Sequence, residues 1–211
     1  FVIPAPDSAP TAALTTPQSR IEHAAGFFRD EKLNVVHEQF LESIDTPEGP
    51  RPIAAASLLG KSRAQPILYV FDVNASAETY DFQLALIKGI IQAARTKGFE
   101  QSFIFAFVEA VPGTQYLQYF DSYVLRTPQR AIFVTLPEVS GAKIHMDETL
   151  LLPLSGWGAQ VGTGFRSSID PVEDVEITAF DDPDVIAKDL AAQGLMGIQM
   201  RAVPSDTTST Q

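Results

Sequence analysis

Pro66-Ile-Leu-Tyr-Val-Phe-Asp72 is a nearly continuous apolar run, the pattern of a strand covered on both faces. The residues after it decide the fold. Ser76 stands where a helix N-cap belongs, and Glu78 lies in the first turn, where a carboxylate meets the positive end of the helix dipole. Tyr80, Leu84, Ile87 and Ile91 recur at the spacing of one helical face. Gly98 suits the position just past the helix end. Ser102 to Ala110 reads as a second buried strand. A strand, a helix of about 20 residues and a strand form a βαβ unit, which predicts parallel strands.

Working outward, Pro17 to about Leu33 predicts a helix, with Pro17 in its first turn and Ile21, Ala24, Ala25 and Phe28 at helical spacing. Asn34 to Ile44 alternates like a strand. Thr46-Pro-Glu-Gly-Pro50 is a turn, and the alanine-rich stretch Ile53 to Leu59 predicts a short helix. On the other side, Gln115 to Leu125 predicts a helix. Arg126-Thr127-Pro128 then leads into a strand, Ala131-Ile-Phe-Val-Thr-Leu136. Pro137 to Ala142 has the length of a hairpin turn, so Lys143 to Asp147 is expected to pair back antiparallel to 131–136. Residues 150–175 show no clear period. Asp181-Asp-Pro-Asp184 opens a last helix with an apolar side of Val185, Ile186 and Leu190, closed by Gly194. The proline-, alanine- and threonine-rich residues 1–16 read as a flexible leader and 205–211 as a disordered tail. That leaves 17–204 as a single folded domain.

The bulk composition narrows the partners. A formal net charge of −11 disfavours nucleic acid and anionic membranes, which attract clustered lysine and arginine. The longest wholly apolar run, Phe103-Ile-Phe-Ala-Phe-Val108, is too short to cross a bilayer. The chain begins at Phe1 rather than methionine, so something is expected to have been removed, either a leader or the rest of a longer chain. It has no cysteine, and Asn74-Ala75-Ser76 is a glycosylation sequon. Together these lead us to expect a secretory lumen or another non-cytosolic compartment.

Written as elements, residues 34–194 run β, α, β, α, β, α, β, β, α. This order, with Thr127-Pro128 before the strand at 131–136, resembles the thioredoxin fold. In that family a cis proline occupies the place of Pro128. The stretch 103–138 is similar to the redox-inactive b-type domains of protein disulfide isomerases. It is also similar to the thioredoxin-like domains of the glucosyltransferase that senses misfolded glycoproteins. The family's Cys-x-x-Cys would begin the helix after Asp72, where this chain has Val73-Asn74-Ala75-Ser76. Thiol–disulfide exchange needs a thiolate. The resemblance therefore implies an α/β, thioredoxin-like central sheet with helices on both faces and an antiparallel C-terminal hairpin. It further implies a non-catalytic binding or scaffold module, without a cofactor, that recognises a protein or polypeptide in a larger assembly or chaperone system.

Two other readings compete. Asp72-Val-Asn-Ala-Ser76 has hard oxygen donors at the end of a buried strand, as in the divalent-ion site of a von Willebrand A-like domain, with Thr114 and Asp121 as further donors. The same residues also satisfy helix capping alone. An enzyme of unrecognised type is the third reading. No nucleophile elbow is present, and His23, His37 and His145 lack ligand spacing. The glycine-rich stretch Gly156 to Gly164 is not a phosphate loop. It does carry Trp157, the only tryptophan, which with Gln160 and Phe165 is the expected partner-binding surface.

Overall fold

A computed structural model describes residues 14–35, 43–123, 132–141, 143–147, 175–177 and 181–203. Helix α1 (Pro17–Asp30) begins at Thr16. The Thr16 hydroxyl oxygen accepts from the Ser19 N–H, and the Ser19 hydroxyl oxygen accepts from the Thr16 N–H, a reciprocal cap that satisfies two otherwise unpaired donors. The βαβ unit forms as its sequence predicts. It consists of β5 (Ser62–Asp72), α2 (Ala77–Lys97) and β6 (Gln101–Val108), with the two strands parallel. Ser76 caps α2 by accepting from the Thr79 N–H, and Gly98 ends it at a φ of 69°.

The remaining elements are β1 (Asn34–Val35), β2 (Ser43–Ile44), β3 (Arg51–Pro52), β4 (Ala54–Leu58), α3 (Tyr116–Tyr123), β7 (Ile132–Val139), β8 (Lys143–Asp147), β9 (Val175–Ile177), α4 (Val185–Ala192) and β10 (Met196–Val203). Eight strands form one mixed sheet in the order β1-β4-β6-β5-β7-β10-β8-β9, and β2 and β3 form a separate antiparallel pair. One face of the sheet is covered by α1 and α2, whose Ile21, Phe28, Tyr80 and Ile87 pack on Phe71, Phe105 and Phe107. The other face is covered by α3 and α4, whose Tyr116, Phe120, Ile186 and Leu190 pack on Leu68, Val70, Ile104 and Phe133. Among the described residues no helix is long and apolar enough to cross a membrane.

Two local expectations are corrected. The alanine-rich stretch 53–59 is not a helix: β4 runs antiparallel to β6. Alanine's helix propensity is a weak prior, and here small side chains are needed. Ala54 and Ala56 lie in the core under α1, and Ala55 lies in the opposite one. The hairpin between 131–136 and 143–147 is absent as well. β10 lies between those strands, parallel to β7 and antiparallel to β8. The expected strand 34–44 is described only at its ends, β1 and β2, which belong to different sheets. Pro128, and the expected partner surface of Trp157, Gln160 and Phe165, lie outside the described residues.

Candidate functional site

The central strands set where a site can form. The connection through α2 leads from β5 to β6 on one side. The connection through α3 leads back past β5 to β7 on the other side and over the opposite face. The strand order thus reverses beside β5, and open α/β sheets bind ligands beyond the carboxyl ends of strands at such a reversal. The register opens the crevice further. The β5–β7 pairing runs only from Ile67↔Ile132 to Tyr69↔Val134, whereas β5 stays paired with β6 to Asp72↔Val108. Opposite β10, Gln199 faces Thr135 while Arg201 faces Glu138. β7 therefore carries one extra residue around Leu136-Pro137, a bulge of the kind that re-aims a strand. Helix α2 holds the bulge in place: Gln83 Nε2 donates to the Leu136 carbonyl at 2.8 Å, and the Val139 N–H donates to Thr79 Oγ1 at 3.0 Å.

The resulting cleft, about 240 Å³, is lined by Val70, Asp72, Ala110, Thr135, Leu136, Pro137, Asp184, Val185 and Ile186. Its two carboxylates are held differently. Asp72 Oδ1 accepts from the Asn74 N–H at 2.9 Å and the Ala110 N–H at 3.1 Å, whereas Oδ2 accepts from none of the described residues. Asp184 is the N-cap of α4. Its Oδ1 accepts from the Ala187 N–H at 2.8 Å, its Oδ2 accepts from the Thr135 hydroxyl at 2.7 Å, and its own N–H donates to Gln199 Oε1 at 2.9 Å. Burial pushes the Asp72 carboxyl above its ordinary value against the pull of its two N–H bonds, and the nearby charges of Asp184 and Glu109 push the same way. A half-used, desolvated carboxylate in a cleft is suited to take up a proton or to pair with a cation.

Of the residues singled out from the sequence, Asp72 lies in this cleft. Ser76 does not join it: its hydroxyl accepts from the Thr79 N–H and donates to Thr79 Oγ1. The Thr114 hydroxyl donates to the Val111 carbonyl within its own turn, and Asp121 lies on α3. In these bonds neither hydroxyl is joined to Asp72. His23 Nδ1 is 3.1 Å from the Tyr80 hydroxyl on the α1–α2 face, and His145 is on β8. The reading of the sequence missed Asp184 and Thr135 as site residues. Asp184 carried a local signal, its capping position, but nothing local placed it opposite Asp72.

No protein-family model and no curated protein matches the sequence. Solved structures match nearly all of the chain. A glutaminyl cyclase from an Acidobacteriales bacterium aligns with a TM-score of 0.55 at 14% identity, over 97% of this chain and 77% of its own. A Zn-dependent exopeptidase from Parabacteroides distasonis aligns with a TM-score of 0.54 at 12% identity, over 98% and 80%. The glutaminyl cyclase of Tannerella forsythia aligns with a TM-score of 0.52 at 10% identity, over 92% and 78%. The fold is thus that of glutaminyl cyclases and zinc-dependent exopeptidases. This overturns the thioredoxin-like reading and the likeness to disulfide isomerase and glucosyltransferase domains. The redox-inactive chaperone or scaffold module, and the expectation that the chain is not an enzyme, rested on that reading and fall with it, since these structural relatives are enzymes.

One of these structures depends on zinc by its name. Among the described residues, no group of three or more His, Cys, Asp or Glu side chains could hold a metal ion. The described donors do not by themselves make a zinc site, and no chemical step is assigned to zinc.

Proposed function

We propose that the chain is an enzyme acting on the amino-terminal end of a peptide bound in the Asp72 cleft. The observation that carries this is the Asp72 carboxylate. One oxygen is fixed by two backbone N–H groups and the other accepts from none of the described residues, with a second carboxylate, Asp184, on the same cleft wall. The exopeptidase of the same fold acts, by its name, at peptide ends. Of the two ends, a wall of two carboxylates favours the cationic amino terminus and repels the anionic carboxyl terminus. The apolar lining of Val70, Leu136, Pro137, Val185 and Ile186 suits the attached side chain. In cyclisation or hydrolysis, an amine or water loses a proton as it attacks an amide carbonyl carbon, the C–N bond breaks, and the departing amine or ammonia takes a proton in turn. Asp72 Oδ2 is placed to accept the first of these protons, and its raised affinity for a proton favours the transfer.

The test is a panel of short peptides with free or acetylated amino termini, incubated with the full chain and read by mass spectrometry. Turnover of free-ended peptides is expected, abolished by acetylation and reduced about 100-fold or more in Asp72→Asn. No turnover of any free-ended peptide, with or without added zinc, would refute the proposal.

A further inference from the structure

We infer that Asp189 is a positioning residue for the cleft: it grips the turn after β6 and so sets where the Ala110 N–H meets the Asp72 carboxylate. The inference rests on the cleft being the functional site. Asp184 is the N-cap of α4 and Asp189 its fifth residue, about 7.5 Å further along the helix axis. Asp184 lines the cleft. Asp189 Oδ2 accepts from the Gly113 N–H at 2.7 Å and the Thr114 N–H at 3.2 Å. Gln193, the C-cap of α4, holds the same segment: its Nε2 donates to the Thr114 carbonyl at 2.8 Å, and its Oε1 accepts from the Leu117 N–H at 2.6 Å.

Capping of α3 does not account for Asp189. That helix begins at Tyr116, so Gly113 and Thr114 precede even its cap position, and their N–H groups are not among the unpaired donors of its first turn. They belong to a turn that the Thr114 hydroxyl closes on the Val111 carbonyl. Gly113 takes a φ of 80° there, which favours glycine, and Thr114 is fully buried. One residue before Val111, the Ala110 N–H donates to Asp72 Oδ1 at 3.1 Å. The turn is therefore gripped by Asp189 at one end and grips Asp72 at the other. In this way α4 carries its own cleft carboxylate and the anchor of the opposite one. The Asn74 N–H reaches the same oxygen of Asp72 at 2.9 Å by a route that does not pass through α4.

The experiment is amide hydrogen exchange together with an NMR titration of the Asp72 carboxyl carbon, in the full chain, in Asp189→Ala and in Asp189→Asn. In Asp189→Ala the Ala110 N–H is expected to exchange about fivefold faster relative to the Asn74 N–H, a ratio that a general loss of stability does not raise. The Asp72 titration should move up, because burial raises this carboxyl while the Asn74 and Ala110 N–H bonds pull it back. Loss of the Asp189 charge by itself would move it down. Asp189→Asn keeps an acceptor oxygen and should show neither rise. Asp189→Ala with either the ratio or the titration not raised, or Asp189→Asn with rises as large, overturns the inference. Should Asp189→Ala fail to fold, Gln193→Ala is read by the same criterion. Neither measurement needs turnover, so the result is decided independently of the peptide assay.

Discussion

Replacing Asp72 in two ways separates its charge from its hydrogen bonds. Asp72→Ala removes the acceptor and leaves the Asn74 and Ala110 N–H groups, now 2.9 and 3.1 Å from Oδ1, without a protein partner. Each lost bond at this half-buried position costs about 1 kcal/mol, so the variant should be less stable by about 2 kcal/mol. For a chain of this size that is a fall of about 4–8 °C in Tm. Asp72→Asn keeps an oxygen for both N–H groups and removes the charge. The Asp72 carboxyl sits above its ordinary value of 3.8, first because of burial. The folded wild type therefore holds this proton more tightly than the unfolded chain. That advantage is complete below the unfolded pKa and is lost as pH rises through the folded value. Asparagine has no such proton. Its stability relative to wild type should therefore be lowest below the ordinary value of 3.8 and should rise with pH above that. Urea melts of the three proteins from acid to neutral pH measure both effects. If Asp72→Asn costs as much as Asp72→Ala, or if its standing against wild type falls as pH rises, the account of Asp72 as a desolvated carboxylate fixed by two N–H groups is wrong.

Gly197→Ala should be among the more damaging small substitutions. A Cβ there would lie 2.0 Å from the Phe133 ring, and Phe133 is fully buried, so an overpacking cost of about 3 kcal/mol is expected in urea melts. Arg20→Ala removes the Nη1 bonds to the Val73 carbonyl at 2.6 Å and the Ala75 carbonyl at 2.5 Å, together with a guanidinium 5.3 Å from the Tyr80 ring centroid. It should cost about 2 kcal/mol and speed hydrogen exchange at Asn74–Ser76, with a drop in peptide turnover, because the Asn74 N–H is one of the two that fix Asp72.

The parts of the fold visible in the sequence are those written by local chemistry. Capping residues and helical spacing located α2 and α4 to within a residue or two, and two continuous apolar runs located β5 and β6. β4 was hidden because its alanines favour a helix locally, while the sheet needs them as small side chains under two layers of helices. β10 was hidden by residues that look wrong for a central strand. Gly197 is there because Phe133 crosses it. Gln199, only 1% exposed, is there because its Oε1 takes the Asp184 N–H. Both reasons lie in contacts with distant residues and leave no periodic trace.

The missed strand β10, with β4 read as a helix, accounts for the wrong fold, and β10 alone accounts for the missing half of the site. Without β10, the strands at 132–139 and 143–147 close into a terminal hairpin, and the element order matches the thioredoxin pattern. With β10 inserted between them, the sheet has a parallel run β6-β5-β7-β10. Helix α4, which feeds β10, then lies on the α3 face, with its first turn over the carboxyl ends of β5 and β7. Asp184 can cap that helix, bond Thr135 and face the cleft beside Asp72 only in this topology. Asp72 was legible because it ends a strand and begins a turn. Its counterpart was not, because its place depends on strand order, which no local pattern encodes.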